Sequence, residues 1–302
     1  MTFEELEKIR LDYKNEVMKA IKKALIAFGI LILCLSPLYL LEGLSGFVSI
    51  FGLAICMAPV FSIFAVIYVL FFVSKKSDFY RKAYKAYFVS DALSKAFGNY
   101  QFDSKKGLDQ FELEKIGMVN MGNSFSSNDL VIGSYKGVDF RQSDVYIASV
   151  SSDSDGHSTT TVLFKGRWII FDFKKDLEKK LAVVGRSFIA ESVERDKSYK
   201  KLELESIDFN THFDVFAQDG FEAYYVLDPA FMERAVHLAG KYKDQVYFAF
   251  VDGKVHIAVN DTKDSFEPPS PMKEIDESAE KSKVESEVKL ITDIVDVLKL
   301  ER

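Results

Sequence analysis

The residues able to do chemistry are scattered along the chain. There are four histidines, His157, His212, His237 and His256, and two cysteines, Cys34 and Cys56. Hydrolytic and metal-dependent motifs need such groups at short, fixed spacings, and no HExxH, GxSxG or Cys-His pair occurs. Asp153, Asp155 and His157 fall close together in Ser151–Ser158, SSDSDGHS. A calcium loop needs more oxygen donors and a bidentate acid downstream. That downstream position is Val162, so the segment reads as a solvated hairpin tip. Gly117–Asp129, GMVNMGNSFSSND, has the composition of a phosphate-cradling loop. It lacks the Gly-Lys-Ser/Thr ending and the strand–loop–helix setting, and reads as an irregular connection. Asp139, Asp144 and Asp172 are the carboxylates that folding would have to assemble for acid–base work. No residue is nominated as catalytic, cofactor-binding or metal-binding, and no cofactor is expected.

The elements that must position these groups follow from periodicity and turn chemistry. Asp129–Tyr135, Val138–Gln142 and Asp144–Val150 read as strands, with a turn at Lys136-Gly137. Thr159–Lys165 and Arg167–Phe173 follow, with Gly166 as a bulge or turn. Trp168 belongs to the core or the sheet surface. Leu181–Val184, Tyr199–Glu205 and His212–Gln218 read as extended, and Asp219-Gly220 as a turn. Asp228-Pro229 starts a helix running to Leu238, with His237 off its apolar side. Gln245–Asn260 carries the clearest local signal. Val246, Phe248 and Phe250 alternate on one strand, Val255, Ile257 and Val259 on the next, and Asp252-Gly253 suits a two-residue hairpin. That register pairs Phe250 with Val255 and Phe248 with Ile257, and turns His256 to the opposite face.

Upstream, Ala24–Leu41 and Phe47–Val73 contain no Asp, Glu, Lys, Arg or His, and Glu42–Gly46 separates them. Eighteen helical residues span about 27 Å, close to the hydrocarbon thickness of a bilayer. Lys19, Lys22 and Lys23 precede the first run, and Lys75, Lys76, Arg81, Lys82 and Lys85 follow the second. The positive-inside rule then gives a two-pass inner-membrane hairpin with both termini cytoplasmic. A cleaved signal peptide does not fit, because 23 mostly polar residues precede the first run. The runs lack ionisable residues, which argues against a pump or ion-coupled transporter. Cys34 and Cys56 lie inside them as small apolar packing residues.

Helices at 3–23 and Ser77–Phe97 flank the runs, the first with a Thr2/Glu5 capping box. An antiparallel stalk would place Glu16 opposite Arg81 and Asp12 opposite Lys85. Beyond Gly98, Asn99–Asp103 reads as extended and Gly107–Ile116 as a short helix burying Phe111 and Ile116. Phe266–Lys283 reads as a linker. Val284, Val288, Ile291, Val295 and Leu298 form the stripe of a C-terminal helix that docks on the soluble part or meets a partner.

The expected fold is therefore α+β. Residues 1–97 form a membrane anchor with spans near 24–41 and 47–73. Residues 98–265 form a β-rich cytoplasmic domain, and 266–302 a linker with an amphipathic helix. A net charge of −6 and a pI near 5.4 argue against a broad nucleic-acid surface.

Several segments in order resemble one bacterial family. They are Phe164-Lys-Gly166 with Phe171-Asp-Phe173, Leu202-Glu-Leu-Glu205, the run His212–Asp219, Glu222–Pro229, Phe231-Met-Glu-Arg234, and Phe248…Asp252-Gly253…Ile257 ending near Phe266-Glu-Pro268. The family is catalogued as domain of unknown function 3137, and the resemblance covers roughly residues 20–270. It implies two membrane passes and a cytoplasmic domain, with no assigned reaction, cofactor or catalytic residue. Genes of the family often neighbour those of LemA-type membrane proteins, which implies a LemA-like partner. The expected function is a non-enzymatic, membrane-anchored interaction or scaffold module touching the lipid bilayer, a protein partner or a second copy. The alternatives are a tethered enzyme using assembled carboxylates and a lipid or small-ligand sensor.

Overall fold

The computed structural model describes residues 1–35, 64, 67, 74–117, 119–153, 157–173, 179–188 and 197–300. The chain divides into two compact units, Met1–Tyr87 with Pro268–Glu277, and Phe88–Glu267 with Ser278–Arg302.

In the first unit a helix runs from Phe3 to Leu35. It opens on the expected capping box. Thr2 N–H donates to Glu5 Oε2 at 2.9 Å, and Glu5 N–H to Thr2 Oγ1 at 3.2 Å. A second helix covers residues 74–84. The aromatic pairs Tyr13–Tyr80 and Phe3–Tyr87 set their register, and Asp12 pairs with Lys76. The expected pairing of Asp12 with Lys85 is therefore displaced by more than two turns. Arg10 is buried and donates to the Pro271 carbonyl at 2.8 Å, while Tyr80 donates to the Pro269 carbonyl at 3.3 Å. Part of the expected linker thus packs in this unit.

The transmembrane hairpin needs correction. Among the described residues no helix is long and apolar enough to cross a membrane. Most of 24–41 and 47–73 lies outside those residues. The described apolar end of the first helix, residues 24–35, rises about 18 Å, short of the roughly 30 Å required, and Lys19, Lys22 and Lys23 precede it. The fold is α+β without a shown transmembrane hairpin, and the two-pass inner-membrane placement loses its support.

The second unit is built on a nine-stranded antiparallel sheet of described residues, ordered β1-β2-β3-β4-β9-β8-β5-β7-β6. The strands are β1 (Tyr100–Asp103), β2 (Ser124–Tyr135), β3 (Val138–Ser152), β4 (Ser158–Asp172), β5 (Leu181–Gly185), β6 (Lys200–Leu202), β7 (Phe213–Ala217), β8 (Val246–Val251) and β9 (Lys254–Val259). The β8–β9 register pairs Phe250 with Val255 and Phe248 with Ile257, as alternation predicts. Asp252 and Gly253 have φ of 51° and 67°, the positive values a tight hairpin demands.

At β5, β8 and β9 both faces of the sheet are covered, so alternation there does not separate buried from exposed side chains. One face packs Trp168, Ile170, Val145 and Ala258 against the short helix Gln110–Ile116. There Ile116 is buried as expected and Leu113 with it, while Phe111 is exposed, contrary to expectation. On the other face Phe231, from the helix Pro229–Lys241, meets Phe248 and Phe250. The C-terminal helix, Glu277–Leu298, buries all five stripe residues together with Leu290 and Ile294.

Three local readings change. β2 begins at Ser124, inside the expected loop, because pairing with β3 satisfies its polar backbone. β4 runs unbroken through Gly166, where an added Cβ would lie 2.0 Å from the Val259 carbonyl oxygen. Asp219 does not sit in a hairpin turn but caps a helix, Gly220–Val226, accepting from the Phe221 and Glu222 N–H groups.

Candidate functional site

The site forms where a bulge in β2 meets the segment after β9. Asn128 pairs with Asp144 and Val131 with Gln142, so two residues on β2 face one on β3. Asp129 occupies the bulge with φ 56° and no exposed surface. Asn128 Nδ2 donates to Asp129 Oδ2 at 2.9 Å.

Residues 260–267 are held at several points. Asn260 N–H donates to the Gln245 carbonyl at 2.9 Å, and Thr262 N–H to the Lys165 carbonyl at 2.8 Å. Ser265 N–H donates to Asp144 Oδ2 at 2.6 Å, and Phe266 N–H to Glu287 Oε2 at 3.0 Å. Phe266 is fully buried and meets Phe102 edge-on at 6.1 Å. These anchors carry Asp264 and Glu267 to Asp129, and ligand oxygens of the three acids lie within 4.8 Å of one another.

Asp144 is 4% exposed, and its Oδ1 has no hydrogen-bond partner. Burial, then the like charges of Asp129 and Asp264, push its carboxyl up to about 8, against the pull of the Ser265 N–H and Arg167. Arg167 faces Asp144 across the β3–β4 ladder. Its guanidinium also donates to the Glu287 carbonyl at 3.0 Å and to Asp261 Oδ2 at 3.3 Å. Burial also raises the Glu287 carboxyl above its ordinary range.

The same segment borders a cavity of about 780 Å³. Arg167, Lys241, Lys243, Lys263 and Lys283 line it against the acids Asp261 and Glu287, with Tyr242, Gln245, Asn260, Thr262, Ser265 and Ser286 between them. Lys241 pairs with Asp293 at 3.2 Å and Lys283 with Glu280 at 3.5 Å. The ammonium groups of Lys243 and Lys263 form no ion pair among the described residues.

The three carboxylates nominated for assembly are divided. Asp139 and Asp172 line one open depression of about 420 Å³, with Arg141 and Lys254. Both are exposed, and Asp172 pairs with Lys254 at 2.9 Å. Asp144 lies away from that depression, beside Asp129 and Asp264. The histidines stay apart. His157 and His237 are exposed, and His212 Nδ1 lies 2.8 Å from Asp244 Oδ1. His256 does face away from Phe248's side of the sheet, but that side is buried too. Trp168 Nε1 donates to its Nδ1 at 3.4 Å, and burial lowers its pKa to about 4. Sequence reasoning missed the Asp129–Asp264–Glu267 cluster, since no local spacing links residues that far apart.

Residues 162–300 match the family described as "Protein of unknown function (DUF3137)". The match covers the segments that carry the resemblance and continues through the C-terminal helix. No curated protein matches the chain. Among solved structures, the crystal structure of the mycobacterial trehalose monomycolate transport factor A, TtfA, has a TM-score of 0.36 and 13% identity, covering 72% of this chain and 93% of that one.

Proposed function

The chain belongs, over residues 162–300, to this family of unknown function, and from that premise we propose that its sheet domain works by binding rather than by catalysis, taking a small anion-bearing molecule into the 780 Å³ cavity. The observation that carries this reading is the charge imbalance there: five basic side chains face two acidic ones, and Lys243 and Lys263 keep their ammonium groups for a ligand. The volume is in the range of small-molecule sites. Hydroxyl and amide groups of Tyr242, Thr262, Ser286 and Asn260 supply orientation beside the charge.

Calorimetric titration with inorganic pyrophosphate, in the presence of a metal chelator, tests this reading. Saturable binding weakened by salt is expected, and Lys243→Glu combined with Lys263→Glu should abolish it. Absence of binding, or binding unchanged by the double substitution, overturns it.

A second reading, a protein-interaction module, is favoured by the helix Gly220–Val226. Phe221 is 84% exposed, with Tyr224 and Tyr225 beside it at helical spacing. Phe221→Ser combined with Tyr224→Ser leaves pyrophosphate binding intact if the cavity is the ligand site; loss of that binding in the folded variant counts against the cavity.

A further inference from the structure

We propose that the outer edge of β4 over Ser158–Val162 is a self-association surface, where the same strand of a second copy of this chain adds in antiparallel register. The ends of β3 and β4 leave the rest of the sheet together. β2 pairs with β3 only as far as Ala148, and β9 pairs with β4 only from Arg167. Beyond those points, Ser149–Ser152 and Ser158–Val162 form a ribbon of two strands, and every residue of its β4 half is exposed. Two strands alone are marginally stable in water and gain from further strands.

The phase of the ladder decides which backbone groups point outward. Asp153 N–H donates to the His157 carbonyl at 3.0 Å, so that pair bonds inward. Bonded and non-bonded pairs alternate along an antiparallel ladder. The pairs Ser152/Ser158, Val150/Thr160 and Ala148/Val162 therefore turn their N–H and C=O groups to the outer edges. On the β3 edge Asn123 meets them. Its N–H donates to the Ala148 carbonyl at 3.1 Å and its Nδ2 to the Val150 carbonyl at 2.8 Å, while its Oδ1 accepts from the Val150 N–H at 2.7 Å. On the β4 edge the outward backbone groups of Ser158, Thr160 and Val162 have no protein partner among the described residues.

Nothing guards that edge. Lysine, proline and charges are the usual protections against strand addition, and Ser158–Val162, STTTV, carries none of them. A second copy fits because the edge is complementary to itself. About a two-fold axis at Thr160, Thr160 faces its own counterpart and Ser158 faces Val162. That register pairs every outward group of the β4 edge and sets no like charges opposite one another. Val150 lies across from Thr160, two residues from Val162, so both valines share one face of the ribbon. They are 39% and 49% exposed. Joining two ribbons gathers these valines on one side of a wider sheet.

The test is sedimentation velocity on the full chain over a range of concentrations, where a reversible dimer is expected. Thr160→Pro removes an outward donor and no bond to β3, so it should give a monomer with an unchanged circular dichroism spectrum. Thr160→Lys and Thr160→Glu each set like charges on the axis and should weaken the dimer several-fold, and an equal mixture of the two should restore it. Association through any other surface survives these substitutions. A parent chain that is monomeric throughout overturns the proposal and leaves the edge to an extended segment of a different protein. Association unchanged by Thr160→Lys, or a mixture no more associated than its components, also overturns it.

Discussion

Asp144 Oδ2 accepts a 2.6 Å hydrogen bond from the backbone N–H of Ser265, a residue 121 positions further along the chain. This contact fastens the segment after β9 to the middle of the sheet. Both residues are buried, so neither group has water as a substitute. Asp144→Ala should therefore cost about 1–3 kcal/mol in urea unfolding, the penalty of an orphaned buried N–H. Asp144→Asn keeps an acceptor and should lose less. Equal losses in the two variants would show that the contact does not hold the segment.

His256 makes stability depend on acid. Its pKa is lowered from 6.5 to about 4, by burial first. The native protein keeps the imidazole neutral while the unfolded chain takes up a proton near pH 6.5. Between pH 6.5 and 4 the unfolded state thus binds more protons, and stability falls as pH falls through that window. Full loss amounts to about 3 kcal/mol, and no further slope from this group remains below pH 4. His256→Gln should flatten the profile in that window. Trp168 is the chain's single tryptophan and donates to His256 Nδ1, so its emission should change with a midpoint near pH 4. A midpoint near 6.5 in the folded protein would contradict this.

Gly166 sits where β4 passes β9. An added Cβ would meet the Val259 carbonyl oxygen at 2.0 Å, backbone that cannot rotate away. Gly166→Ala should destabilise by about 2 kcal/mol or more, read as a lowered Tm. A Tm equal to that of the parent would mean that the strands separate there without cost.

Ile291 is fully buried in the C-terminal helix. Ile291→Ala should cost about 2–5 kcal/mol in chemical unfolding, the range for a core aliphatic residue. A loss below about 0.5 kcal/mol, the size expected at the surface, would mean that the helix is not part of the folded unit.

Several parts of this architecture were legible in the sequence. The β8–β9 hairpin was, because its alternation and its Asp252-Gly253 turn lie within fifteen residues. So was the helix after Asp228-Pro229, whose cap is local: Asp228 Oδ1 accepts from Phe231 N–H at 2.7 Å. The Ser124–Ser127 stretch was not legible as strand, since its pairing energy comes from β3. Asp219-Gly220 carries the residue types of a turn and of a helix cap alike, and only the following packing of Ala223 and Val226 separates them. The apolar runs at 24–41 and 47–73 prompted a membrane hairpin, but the described end of the first helix is too short to support it.

The sequence by itself determined the strand-rich second half, its local turns and caps, and its family, because these depend on residues within a few positions of one another. Only the tertiary structure decided which acids meet. Asp139, Asp144 and Asp172 looked equivalent as strand carboxylates, yet the pairing of β2, β3, β4 and β9 leaves two in solvent and buries the third beside Asp129 and Asp264. Which face of a strand a side chain takes, and what lies across from it, depends on register. A shift of one residue along the β2–β3 ladder would separate Asp129 from Asp144, and no short stretch of sequence encodes that register.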